Sequence, residues 1–341
     1  MTGELISPTS HLPALPYSEL VVPLLVAQKG ERAAKRYIEF FVANIRNPNT
    51  RRAYARAATD FLGWCEQRGL SLPAIEPVHV AAYVEQLMQV GVSRNPGEPP
   101  APLAAPSVKQ QLAAVRMLFD WFVVGQVVPH NPASSVRGPK HVVSRGKTPV
   151  LPREDAKALI DAIETDTLIG LRDRALIGTL LYTFARIEAA LGMDVEDYFS
   201  AGRKRWRVRL HEKGGKVHEM PVHHTLEEYL DAYIEAAGIE GDKKGPVFRT
   251  APGRTRDRLT THRLQAREAF AMVRRRALAA GIDAALGCHS WRAIGITTYL
   301  ENGGSLERAQ QMAAHSSPRT TKLYDRTQDE VTLDEVERIV L

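Results

Sequence analysis

The sequence predicts a mainly α-helical protein with one small antiparallel β-sheet, split into an all-α N-terminal domain and a mixed α+β C-terminal domain. Three observations carry this. Apolar residues recur at helical spacing throughout 31–135. Arg205-Trp206-Arg207-Val208-Arg209-Leu210 alternates strictly, the period of a half-buried strand. Between the two patterns lies a basic stretch rich in Gly and Pro, 136–150, which reads as an interdomain linker.

Residues 1–30 are Pro-rich and weakly patterned, a tail with one short helix. In the domain 31–135, Asn49-Thr50 offer an N-cap to a helix with Tyr54, Ala57, Ala58, Phe61, Leu62 and Cys65 on one face. A second helix is expected over 77–90, followed by a long Pro-rich loop, 95–106. Ser107 is expected to cap a helix whose buried face is Leu112, Val115, Leu118, Phe119 and Phe122, and Asn131-Pro132 marks its end. In the domain 151–330, Gly214-Gly215 turn the alternating strand into a return strand at 220–222. Thr225 with Glu228 forms a capping box for the next helix, whose stripe is Leu226, Tyr229, Leu230, Tyr233 and Ile234. Further helices are expected over 290–302, stopped by Gly303-Gly304, over 305–313, and through Tyr324. The last segment, 331–341, has amphipathic spacing at Leu333, Val336, Ile339 and Val340.

With 341 residues, 44% of them hydrophobic, the chain has length for two domains and apolar residues enough for two cores. A net charge of +6 favours a polyanionic partner, DNA among them. The 2 cysteines, Cys65 and Cys288, fall in different predicted domains, which argues against a disulfide or a zinc site and fits a reducing cytoplasm. No apolar run reaches the roughly 18 residues that a membrane helix needs. Neither a phosphate-binding GxxxxGK loop nor an HExxH helix is present, so no cofactor and no metal is implied.

The chemistry-bearing residues cluster late. Arg186 interrupts the apolar run 175–190, and a buried arginine needs a reason. Lys213 sits in a Gly-rich turn; His289 and Arg292 stand about one helical turn apart; His315 and Tyr324 follow. Each has a bland reading: a salt-bridge partner, a solvated loop lysine, a common helical spacing, a helix cap, a core aromatic. Together they make a kit for attacking a phosphodiester. Arginine forks bind phosphate bidentately, histidine moves protons near neutral pH, lysine can serve as general acid, and a nest of cations stabilises a tyrosine phenolate.

Those residues resemble the tyrosine recombinases, the phage integrase family. Ala185-Arg186-Ile187 with Leu191-Gly192 is similar to the first arginine box, and Glu212-Lys213-Gly214-Gly215-Lys216 to the hairpin carrying the catalytic lysine. His289-Ser290-Trp291-Arg292 resembles the HxxR box, and Ala314-His315 with Thr320-Thr321 and Tyr324 the final box. The resemblance implies a SAM-like core-binding domain followed by a tyrosine-recombinase catalytic domain. It implies that Tyr324 attacks DNA to form a 3′-phosphotyrosyl link, that Lys213 protonates the leaving 5′-oxygen, that Arg186 and Arg292 grip the phosphate, that His289 assists proton transfer and that His315 hydrogen-bonds the phosphate. It implies double-stranded recombination sites as partners, a monomer in solution and a tetramer in synapsis, an accessory DNA-bending protein or partner recombinase, and docking of 331–341 on a neighbour. DNA contacts are expected from Arg51, Arg52, Lys109 and Arg116 on the helices, Arg137, Lys140, Arg145 and Lys147 in the linker, and Arg254, Arg256 and Arg258 in a later loop.

Three positions depart from the family pattern. Ala189 stands where the family has an acid three residues after the first arginine; Ala293 follows HxxR where a polar residue is usual; Ala314 replaces a glycine. The reading is a recombinase of a mobile element. The alternatives are a chromosome-dimer or plasmid resolvase of the same family, a relaxase of the type IB topoisomerase kind, and a non-catalytic DNA-binding relative.

Overall fold

The computed structural model describes residues 21–93, 97–141, 146, 148–202, 205–212, 214–253, 257–283 and 285–325. Residues 1–20, Arg145, Lys147, Lys213, Arg254, Arg256 and the segment 331–341, all invoked above, lie outside the described residues. The chain divides into two units at residues 142/143. The described part is mainly helical with one three-stranded sheet. No helix in it is long and apolar enough to cross a membrane.

The first unit is all helical: α1 (Leu24–Ala27), α2 (Glu31–Glu39) running into a π-turn at Phe40–Asn44, α3 (Pro48–Glu66), α4 (Pro77–Gln89) and α5 (Ala105–Val124). Its core gathers Phe40, Phe41, Phe61, Leu62, Phe119 and Phe122. Leu25 and Val26, inside the stretch expected to be tail, are buried in the same core. The α3 cap differs from expectation. Asn47, not Asn49-Thr50, accepts from the Asn49 and Thr50 amides at 3.0 and 3.1 Å. Pro48 then occupies the first turn, where its missing N–H costs nothing. Likewise α5 starts at Ala105 with Pro106 in its first turn and no side-chain cap, so Ser107 is already helical.

Two arginines expected to touch DNA hold the chain together. Arg51 donates to the Ile45 carbonyl from Nε and Nη2 at 3.0 and 2.7 Å. Arg116 donates to the carbonyls of Ala133 and Val136, fastening the segment after α5. Arg52, Lys109, Arg137 and Lys140 are exposed.

The second unit contains α6 (Arg153–Asp161), α7 (Leu168–Tyr182), α8 (Ile187–Leu191), β1 (Tyr198–Ser200), β2 (Trp206–Glu212), β3 (Lys216–Pro221), α9 (His224–Ala237), α10 (Ala266–Ala279), α11 (Cys288–Glu301), α12 (Leu306–Met312) and α13 (Pro318–Lys322). The sheet is antiparallel in the order β1-β2-β3, with Val208 opposite Met220 and Glu212 opposite Lys216. Alternation turns Val208, Leu210 and Glu212 inward, and all three are buried. At the start of α9 the cap is His223, whose Nδ1 accepts from the Thr225 amide at 3.2 Å; Thr225 lies inside the first turn.

Helix α7 is the spine, packed against α9 and α11. At Gly295 an added Cβ would stand 2.1 Å from the Leu181 carbonyl oxygen, so only glycine lets α11 cross the end of α7 this closely. At the other end, buried Asp173 accepts from Arg172 and, at 3.0 and 2.8 Å, from Arg276 of α10. Arg263 likewise turns to the carbonyls of Leu191 and Met193 and to Asp194. Arg263 and Arg276 are therefore internal scaffolding, while Arg258, expected to touch DNA, is exposed.

Candidate active site

Four local structures present the functional side chains. After α7 the chain reverses at Phe184, a left-handed residue (φ 51°), and Arg186 opens α8 with an extended backbone. His289 and Arg292 stand about one turn apart near the start of α11 and share a face. After α12 the chain turns through Ala314 (φ 46°) to present His315. Tyr324 follows α13, its carbonyl accepting from the Thr297 hydroxyl of α11 at 3.1 Å.

These turns bring Arg186, His289, Arg292, His315 and Tyr324 into one site. The Tyr324 hydroxyl lies 2.8 Å from His289 Nε2. The Tyr324 ring stacks on His315, with centroids 5.9 Å apart and planes 11° apart. His315 Nδ1 is 2.9 Å from the Thr321 hydroxyl. Arg292, 1% exposed, donates from Nη1 to the Phe184 carbonyl and from Nη2 to that of Ala313, at 2.6 Å. Each carbonyl adjoins or belongs to a left-handed residue, so one guanidinium ties the two reversals together. Its buried Nε has no hydrogen-bond partner among the described residues. The Arg292 guanidinium also lies within hydrogen-bonding reach of the Tyr324 side chain, so the nearest acceptor to this cation is the phenol itself.

The field of the site is positive. Burial, reinforced by Arg186, holds the Arg292 guanidinium down to about 10, still charged at neutral pH. Burial and the two arginines lower the pKa of His289 and push His315 to about 3, so both imidazoles are neutral at pH 7. Burial raises the Tyr324 phenol, while Arg292 and Arg186 pull it the other way. A neutral imidazole against a phenol beside two cations is arranged to take the phenolic proton once a negative charge neutralises the arginines.

Three further residues support the site, to none of which the sequence assigned a role. Thr297 anchors the Tyr324 backbone, and Thr321 orients His315. Glu212 pairs with Arg186 at 2.5 Å. Thr321 stands in the final box quoted above, and Glu212 falls in the inward phase of the alternating strand; nothing local in the sequence marks Thr297. Lys213, next to Glu212, is outside the described residues, so its placement stays an expectation.

Ala314 makes a test of the turn. An L-residue in the left-handed region costs roughly 1–2 kcal/mol, partly offset by the lower unfolded-state entropy of alanine. Ala314→Gly is expected to stabilise the protein by about 1 kcal/mol, roughly 2–4 °C in a melting curve. A lower melting temperature in the variant would contradict the left-handed turn.

Comparison with known proteins places the family and the fold. The profile of the phage integrase family matches residues 149–330, and that of the phage integrase N-terminal SAM-like domain matches 34–124. A tyrosine recombinase XerD from Chlorobaculum tepidum is 25% identical, covering 81% of this chain and 85% of its own. A tyrosine recombinase XerD from Mycobacterium leprae is 30% identical over 71% of this chain and 79% of its own. Among solved structures, the post-cleavage complex of the XerH site-specific recombinase with a palindromic difH substrate superposes with a TM-score of 0.63 at 19% identity. It covers 85% of this chain and 79% of that one.

Proposed function

Because the chain belongs to the phage integrase family of tyrosine recombinases, enzymes of site-specific DNA strand exchange, we propose that it cuts and rejoins duplex DNA through a 3′-phosphotyrosyl link to Tyr324. The observation that carries this is the Tyr324 hydroxyl 2.8 Å from His289 Nε2, beside Arg292. On this reading His289 takes the phenolic proton as Tyr324 attacks the scissile phosphate. Arg186 and Arg292 hold the non-bridging oxygens, and His315 donates to the phosphate. Lys213 gives a proton to the departing 5′-oxygen. Attack by a 5′-hydroxyl of another strand reverses the step and releases Tyr324. One phosphodiester is exchanged for another through a phosphotyrosyl ester, so no external energy source is required.

The proposed setting is the cytoplasm, on the chromosome, with the protein monomeric when free and tetrameric on two paired sites, assisted by a DNA-bending protein or a partner recombinase. The proposed role is the movement of a mobile element, supported by the departures at Ala189, Ala293 and Ala314. The relatives named XerC and XerD favour a second reading, resolution of chromosome dimers.

The test uses nicked duplexes from the flanks of the gene and from the replication terminus of its host, incubated in EDTA. A covalent protein–DNA band on a denaturing gel is expected, and the duplex that gives it assigns the role. Tight DNA binding on a gel shift with no covalent band on any duplex would leave a non-catalytic binder.

A further inference from the structure

We propose that Glu212 is the positioning residue for Arg186, supplying from strand β2 the carboxylate that helix α8 lacks. This rests on the recombinase reading of the site. Glu212 closes β2 on its inward face, and its side chain is 3% exposed. A carboxylate buried that deeply is costly unless paired. Its partner is Arg186, Nη1 to Oε2 at 2.5 Å, and Arg186 itself is 37% exposed. The pair is therefore asymmetric: a fixed, buried anion holds a guanidinium that still reaches the open site. Among the described residues, Nη1 is the nitrogen of Arg186 with a protein partner, which leaves Nε and Nη2 for a phosphate.

The helix that begins at Arg186 offers no such support. Ala189, one turn on, is 2% exposed and apolar, and Glu188 points to solvent. Without Glu212, no other acidic side chain among the described residues pairs with Arg186 against repulsion from Arg292, and an arginine on a flexible stem would sample many rotamers. Misplacing a catalytic group by about 1 Å can cost ~10²-fold in rate.

The experiment measures single-turnover cleavage of a nicked duplex at saturating protein. It compares wild type, Glu212→Gln, Glu212→Asp, Arg186→Lys and the double variant Arg186→Lys/Glu212→Gln, with DNA affinity and melting temperature recorded for each. Glu212→Gln is expected to slow cleavage by about 10–100-fold with DNA affinity within about twofold, and Glu212→Asp to recover part of the rate. Because Glu212 acts through Arg186, the double variant is expected to be no slower than Arg186→Lys alone. If Glu212→Gln fails to fold, the same cycle run with Glu212→Asp decides. A Glu212→Gln protein that cleaves like wild type, or penalties that multiply in the double variant, would overturn the proposal. A wild type that forms no covalent product would instead overturn the recombinase reading, and this inference with it.

Discussion

Tyr324→Phe is expected to lose covalent DNA cleavage by at least about 10⁴-fold, because the substitution deletes the nucleophile and leaves the rest of the site standing. The ring stays: Tyr324 is buried, and its stacking on His315 does not need the hydroxyl. The lost hydrogen bond to His289 is worth about 0.5–1.5 kcal/mol, and the exposed edge of His289 lets water replace it. The variant should therefore melt within a few degrees of wild type and bind DNA as well. Denaturing gels and gel shifts on the same nicked duplex separate the two properties. A covalent band that persists in Tyr324→Phe would mean another nucleophile and would remove Tyr324 from the mechanism.

Arg292→Ala poses a sharper question, because large terms oppose one another. Removing the guanidinium strips donors from the buried carbonyls of Phe184 and Ala313, at roughly 1–3 kcal/mol each. It also removes a buried cation whose pKa has fallen from the ordinary arginine range to about 10, a desolvation and repulsion cost on the order of 3 kcal/mol. The terms are of one size, and water entering the vacated space can satisfy the carbonyls. The expected result is a melting temperature within a few degrees of wild type together with a loss of cleavage of about 10³-fold or more, the range found for arginines that stabilise phosphoryl transition states. Calorimetry and single-turnover cleavage on the same preparation check both halves. A fold that collapses would show that the carbonyl clamp dominates, and cleavage near the wild-type rate would exclude Arg292 from the phosphate grip.

Much of this was legible in the chain because its signals are local. The alternation 205–210 and the Gly-Gly turn specify a hairpin, and the helical stripes specify the bundle around Phe61 and Phe119. Arg186 stands out because an arginine in an apolar run is rare. What the sequence hides is partnership. Helix caps shifted to Asn47 and His223 because several nearby polar side chains could serve, and backbone geometry chose among them. Strand β1 has three residues, too few for alternation to register. Arg51 and Arg116 look like DNA contacts by charge alone, whereas the carbonyls they meet lie in segments whose path is set by tertiary packing. Glu212 and Arg186 are far apart in sequence and meet only through the sheet register.

The hydrogen bond from Thr297 to the Tyr324 carbonyl has a consequence for mixed assemblies. It fastens Tyr324 to the helix that carries His289 and Arg292, so all three side chains of the site come from one polypeptide. A subunit lacking Tyr324 cannot borrow a neighbour's without breaking that tether. On the recombinase reading, a Tyr324-deficient and an Arg292-deficient subunit are therefore expected not to complement each other when mixed on one nicked duplex, and recovery of the covalent band in the mixture would contradict this.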